Sequence, residues 1–384
     1  MCKRLQIGFV LLILPLLSGC WDRTEINDLA IVLGTSFDQG KEKGMRYQVG
    51  VQIPLPGAMG GASGGGGGTG GGGKPYYVDT ANGRTIREAK SILQERMSRQ
   101  LNFAHRRVVL VGEGLAKKGF SEAMDVILRT PDSRINAYIL ITEGDALKVL
   151  ESSPHMEMFP AEAFREIAKM DIGVRVRQVL QELRSKGKDP VIPVIRGLQK
   201  GDEGERVKGE VVIERYALFK QDRLIRFTKN EETEGIRWLM KGMINRTVTF
   251  SFPGKGNLSL LITEQRMKPR IQLVNGKPEL TLQLAMKAII QDNELRHQLN
   301  KDDSYRYMQE GVHRHINRMV ENVWMVSQQE GLDVLGVGKL LAEHEPSYWE
   351  EVKAEWPKGL ADTDLRIVVK VNIDRVGFVE ESAE

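Results

Sequence analysis

Cysteine is the scarcest useful residue in this chain. There are two in 384 residues, Cys2 and Cys20. Beyond residue 20 there is therefore no disulfide, no cysteine-based zinc site and no cysteine nucleophile. Stability has to come from cores of adequate size. Long apolar runs are also lacking after the first twenty residues. The most apolar later stretch, Leu280 to Ile290, is broken by Thr281, Gln283 and Lys287 at strand-like intervals, and a spanning helix needs about 20 apolar residues. An excess of one charge is missing too. Net charge is +4, too weak a balance to imply nucleic acid as a partner. With 41% hydrophobic and 28% charged residues, the composition is that of an ordinary folded protein.

What is present begins at the N-terminus. Lys3 and Arg4 form a positive start, Ile7 to Leu17 an apolar run of eleven residues, and Leu17, Ser18, Gly19 and Cys20 close it. That order is the signature of a secretory signal, too short for a membrane span and interrupted by Pro15. Leu-Ser-Gly-Cys resembles the lipobox of bacterial lipoproteins. The resemblance implies a diacylglyceryl group on the Cys20 thiol and cleavage between Gly19 and Cys20. Cleavage also removes Lys3 and Arg4 and leaves a net charge of +2. Two acyl chains meet the two-signal requirement for stable anchoring, so the expected mature protein sits on a membrane without spanning it.

The rest of the chain alternates strand and helix patterns. Asp28 to Ser36 reads as a buried strand and Arg46 to Ile53 as its partner. Gly57 to Gly73 then holds twelve glycines in seventeen residues, a composition that orders only at high entropic cost and reads as a loop. Thr85 with Glu88 fits a capping box, and Ile86, Ala89, Leu93 and Met97 recur at helical spacing. A strand at Arg107–Val111, a helix at Gly119–Arg129, a strand at Ala137–Thr142 and a helix at Ala146–Leu150 suggest βαβ units. Ala161 to Lys186 reads as helical, Pro190 and Pro193 as an extended linker, and Gly201 to Gly209 as a boundary.

The second half opens with a hairpin, Glu210–Phe219 and Arg223–Thr228 around Gln221-Asp222. A helix carrying Trp238 and Leu239 follows, then strands near Thr247–Phe252 and Leu258–Thr263. Asn275-Gly276 is a strong hairpin signal, joining Arg270–Val274 to Glu279–Ile290. A helix over about Asp302–Gln329, two shorter helices and a strand at Leu365–Asp374 complete the chain. The expected fold class is α+β, a mixed sheet-and-helix architecture of two to three domains. The expected boundaries are a signal peptide over 1–19, an N-terminal region over 20–195 and a C-terminal region over 206–384, divisible near 265.

Apparent catalytic motifs do not survive their context. Gly61-Ala62-Ser63-Gly64-Gly65 matches G-x-S-x-G, but a nucleophile elbow needs a strained strand-to-helix turn, which near-pure glycine cannot hold. Gly73-Lys74-Pro75 lacks the Ser or Thr of a P-loop. Glu231, Glu232 and Glu234 open a helix, where the macrodipole favours negative charge. The six histidines show no His-Glu-x-x-His pattern, so no metal is expected. Gly336 and Gly338, after Asp333, suit either a positive φ at a helix end or close approach of a ligand. Trp349 and Trp356, seven apart, read as one helical face, packed in a core or presented to a partner. No catalytic constellation assembles, and the expected role is binding or structural, with no cofactor beyond the lipid.

These residues together resemble the Ger(x)C spore germination proteins. The run Cys20-Trp21-Asp22-Arg23-Thr24-Glu25-Ile26 carries the resemblance first. It continues at His105-Arg106-Arg107, at Arg129-Thr130-Pro131 with Arg134, and at Ala217-Leu218-Phe219. Glu232-Thr233-Glu234-Gly235 with Trp238-Leu239 follows, then Asp333 with Gly336 and Gly338, Trp349, Trp356 and Arg375-Val376-Gly377. Two departures stand out: Phe227-Thr228 replaces a glycine-containing turn, and Glu234 replaces an arginine. The resemblance implies a non-enzymatic C subunit of a nutrient germinant receptor, beside integral membrane A and B subunits, on the outer face of the cell membrane or the inner spore membrane. Trp21, Asp22, Asp333, Gly336, Gly338, Trp349 and Trp356 are its candidate partner-facing or structural residues. An alternative from another class is the solute-binding lipoprotein of an ABC importer, which needs two lobes about a hinge.

Overall fold

The computed structural model describes residues 25–55, 74–198, 209–295 and 302–374. Cys20 with its lipobox residues Leu17, Ser18 and Gly19, together with Trp21 and Asp22, lies outside the described residues, as do the glycine tract and Arg375-Val376-Gly377. The first half begins with β1 (Leu29–Ile31), β2 (Gly34–Gln39), β3 (Tyr47–Pro54), β4 (Tyr76–Gly83) and helix α1 (Ile86–Glu95). Then come β5 (Gln100–Asn102), β6 (Val108–Gly112), α2 (Glu113–Lys118), α3 (Ser121–Arg129), β7 (Tyr138–Thr142), α4 (Ala146–Leu150), α5 (Pro160–Met170), α6 (Val176–Arg184) and β8 (Val191–Gly197).

The second half contributes β9 (Val211–Lys220), β10 (Arg223–Phe227), α7 (Asn230–Met240), β11 (Thr247–Phe252), β12 (Gly256–Val274) and β13 (Lys277–Asn293). Helices α8 (Asp302–Glu330), α9 (Val337–His344) and α10 (Pro346–Val352) precede the closing β14 (Asp364–Asp374). Sheets and helices are mixed throughout, as the sequence pattern predicts.

Three sheets form: an eight-stranded sheet in the order β10-β9-β8-β7-β6-β2-β3-β4, a four-stranded sheet β11-β12-β13-β14, and the pair β1-β5. The centre of the large sheet is parallel, from β2 through β6 and β7 to β8. Both its faces are covered, which is why β6 and β7 are buried at every position and read as unbroken apolar runs. Val109, Val111, Ile139 and Ile141 face α1, α2, α3 and α6 in one core. Val108, Leu110 and Leu140 face α4 and α5 in another. A third core packs α7 and α8 on the four-stranded sheet, and it includes Val191, Tyr216 and Leu218 of the large sheet.

Several local expectations are corrected. Asp28–Ser36 is not one strand, because a 3-10 turn at Ile26–Asp28 precedes β1, and β1 and β2 join different sheets. The Ala161–Lys186 stretch is two helices, broken where Gly173 adopts φ +64°. Pro190 and Pro193 do not make a linker; they open β8, an interior strand. Pro193 is tolerated because β7 pairs with β8 only at Val194 and Ile195, so that neighbour's ladder has not begun. Residue 265 lies in the middle of β12, which runs continuously from 256 to 274, so the chain does not divide there. Residues 264–270 belong to the part of β12 left as an edge beyond β11, where Pro269 is also accommodated.

Helices α7 and α8 approach closely at Gly235. A Cβ there would stand 2.2 Å from the Met319 carbonyl oxygen and 2.6 Å from Val323 Cγ2. Alanine would gain about 1 kcal/mol of helix propensity, but the backbone of α8 cannot yield cheaply. We expect Gly235→Ala to lower stability by about 1–3 kcal/mol in urea unfolding. A variant as stable as the parent would show that this helix pair separates freely.

Candidate functional site

The residues marked by the sequence around Asp333 come together at the joint between the two halves. Asp333 is 1% exposed. Its Oδ1 accepts the Val337 N–H at 2.7 Å, and its Oδ2 accepts the Gly338 N–H at 2.8 Å and the Trp356 indole N–H at 2.9 Å. The carboxylate thus caps α9 from the preceding loop and ties the later tryptophan to it. Gly336 takes φ +73° at the entry to α9, which favours glycine. Gly338 serves close approach, but of protein and not of a ligand: a Cβ there would lie 2.7 Å from Gly187 Cα and 2.8 Å from both Trp349 and Trp356.

Trp349 and Trp356 do not share a helical face, because α10 ends at Val352 and Trp356 lies beyond it. They meet edge to face instead, with centroids 5.5 Å apart, and both are half-buried. The joint is completed by residues that sequence reasoning missed. Asp189 donates its N–H to the Asp333 carbonyl at 2.9 Å, and its carboxylate accepts the N–H groups of Asp333 at 2.8 Å and Gln221 at 3.0 Å. Gly187 accepts the Lys339 N–H at 2.8 Å. Three segments far apart in sequence are fastened at one place.

A second buried cluster ties α5 to the C-terminal half. The Asp171 carboxylate accepts the Tyr216 hydroxyl at 2.5 Å and Arg246 Nη2 at 2.7 Å. Arg237 Nε stands 3.5 Å from it and donates to the Tyr216 hydroxyl at 3.1 Å. Burial, with the Asp171 charge, pushes the Tyr216 hydroxyl far above its ordinary range. No local pattern announces this cluster, because its members lie on four separate segments of the chain. Beside it opens a cleft of about 1170 Å³ between β9, β10, α7 and α8. Its rim mixes signs, with Lys229, Glu231 and Glu232 at the start of α7 and Asn322 on α8.

The three glutamates have separate duties. Glu232 accepts the Lys229 backbone N–H at 2.8 Å and pairs with Arg226 at 2.8 Å. Glu231 accepts from Asn322 at 2.7 Å. Glu234 reaches His315 on α8 at 2.7 Å and the Trp238 indole at 3.1 Å. Among the described residues, no group of three or more His, Cys, Asp or Glu is placed to hold a metal ion, and no helix is long and apolar enough to cross a membrane.

Burial pushes the Asp333 carboxyl up to about 6, against three hydrogen bonds that pull it down. A folded value above the ordinary 3.8 means a contribution to stability that is full below that ordinary value and lost as pH rises through about 6. The stability advantage of the parent over Asp333→Asn should therefore shrink by up to about 3 kcal/mol between acid and neutral pH, read by urea unfolding across the range. A gap that stays constant with pH would show that the carboxyl titrates at its ordinary value.

Comparison with known proteins agrees with this architecture. The model for the spore germination protein N-terminal domain matches residues 22–197, and that for the spore germination B3/GerAC-like C-terminal domain matches residues 214–377. The putative spore germination protein YfkR of Bacillus subtilis (strain 168) is 34% identical over 372 residues, 96% of each chain. Spore germination protein KC of the same organism is 24% identical over 396 residues, 98% of this chain and 96% of the relative. The crystal structure of the GerBC protein shares the fold, with a TM-score of 0.56 at 18% identity, over 88% of this chain and 96% of that one. The chain therefore belongs to the Ger(x)C family of spore germination proteins, and its role lies in spore germination.

Proposed function

We propose that this protein is the lipid-anchored, non-enzymatic C subunit of a nutrient germinant receptor, acting with membrane-embedded A and B subunits on the outer face of the cell membrane or the inner spore membrane. The observation that carries the reading is the arrangement at the start of the chain. Leu17-Ser18-Gly19-Cys20 ends two residues before residue 22, where the family match begins. The diacylglyceryl group on Cys20 is the only attached group the reading needs. The non-enzymatic part is supported by how the marked polar residues are spent: Asp333, Glu232 and Glu234 are each committed to internal bonds. The importer alternative needs two lobes about a hinge, whereas here one sheet takes strands from both family-matched segments.

The tether also gives an orientation. The described chain begins at Glu25, five residues past Cys20, a reach of at most about 18 Å. Ile26 is 76% exposed there, and it borders a shallow groove with exposed Leu55 and Tyr77 and the arginines Arg96 and Arg99. Apolar and basic side chains so close to the anchor suit a bilayer with anionic headgroups.

Two tests separate the parts of this reading. Deletion of the gene in a spore-forming host, in a strain without other receptors, should abolish germination with one nutrient class and spare non-nutrient germination. Intact germination with a defect in solute uptake would favour the importer. Cys20→Ala should move the protein from membrane to soluble fractions and sharply reduce nutrient-triggered germination. A receptor assembled and fully active without the lipid would show that protein contacts alone suffice.

A further inference from the structure

Two motifs that carry the family resemblance, His105-Arg106-Arg107 and Arg129-Thr130-Pro131, meet inside the N-terminal half, where Arg106 and Thr130 line one void. Arg106 lies in the turn between β5 and β6, and it is 2% exposed. Among the described residues its guanidinium makes no ion pair. Its one side-chain hydrogen bond runs from Nη2 to Ser133 Oγ at 2.6 Å. Its Nε is buried and has no acceptor, and neither has the buried hydroxyl of Thr35 a partner. Arg106 and Thr35 line the same small void of about 20 Å³, together with Lys90, Thr130 and Ser133.

The charge around this void is one-sided. Lys90 stands 4.8 Å from the Phe103 ring centroid and Arg106 5.7 Å from it, so two cations share one ring. No aspartate or glutamate lines the space; Asp132 acts on Lys90 only at a distance. Burial lowers the Lys90 ammonium and pushes Arg106 down to about 10. A buried guanidinium without an anionic partner is costly. Phe103 is 7% exposed, and the void is otherwise walled by apolar side chains of β2, β3, α1 and α3.

The donor set and the volume narrow the occupant. Every free group, the Arg106 Nε–H, the Thr35 hydroxyl and the Lys90 ammonium, can donate. A water could accept from two of them and return its hydrogens to a hydroxyl oxygen of the lining, but the charge would stay unbalanced. About 20 Å³ is room for one water-sized particle. A carboxylic acid or an amino acid does not fit. We propose that this void binds one small inorganic anion of chloride size, held by Arg106 and Thr35 and balanced by Lys90. The anion fastens α1 and α3 to the large sheet.

The test uses the full chain at constant ionic strength, replacing gluconate by chloride and then by bromide. The expected result is a saturable rise in Tm with either halide, as for any ligand that binds only the folded state. Thr35→Val should raise the apparent chloride Kd at least about tenfold, the loss of a hydrogen bond to a charged group. Lys90→Met should weaken binding in the same direction. Arg106→Met should abolish the halide dependence, and the other two variants carry the test if it fails to fold. Crystals soaked in bromide should show an anomalous peak beside Arg106 Nε. An unchanged Tm between gluconate and chloride, or ordered water alone without an anomalous peak, would overturn the proposal.

Discussion

The structure depends on what is done with two aspartates, Asp189 and Asp333. A carboxylate that leaves water must be given donors, and in a protein without disulfides beyond residue 20 those donors become the staples. Asp189 holds three segments at once: its own strand entry, the turn between β9 and β10, and the loop before α9. Asp333 then holds the start of α9 and Trp356. Each bond is modest, but removing one partner leaves a buried charge, and that asymmetry makes the joint specific. Gly187 and Gly338 are glycine because the backbones they bring together would otherwise collide.

Much of the fold was legible in the sequence where its cause is local. The Thr85 cap forms, with the Glu88 N–H donated to Thr85 Oγ1 at 3.1 Å, although Glu88 returns to the Arg84 N–H instead of that of Thr85. Asn275 and Gly276 both take positive φ and close the long hairpin. Buried parallel strands announced themselves as apolar runs. Expectation and structure part where tertiary pairing overrides local chemistry: proline at 193 sits inside a sheet, and β12 runs unbroken through 265. Of the candidate site, Asp333 and its glycines were legible as a motif but not as a joint. Asp189 and Asp171 gave no signal, because the groups that define their roles are remote in sequence.

The two departures from the family pattern have physical accounts. Thr228 is buried, accepts the Tyr216 N–H at 2.9 Å and bonds the Thr233 hydroxyl at 2.6 Å, so it locks β9 to the start of α7 where a glycine turn could not. Glu234, in place of an arginine, faces His315 and the Trp238 indole. Each can offer an N–H that a guanidinium at 234 would leave without an acceptor.

The large sheet has a consequence for how such a chain can change over generations. The two family-matched segments meet between 197 and 214, which invites the view that they are modules. Yet β9 pairs with β8 along seven residues, from Val191 to Gly197, and Val191, Tyr216 and Leu218 belong to the core of the second half. A recombination event that exchanged the front of one relative for that of another at the apparent seam would cut a hydrogen-bonded ladder and a shared core. Inheritance of the two segments as one unit follows from that geometry.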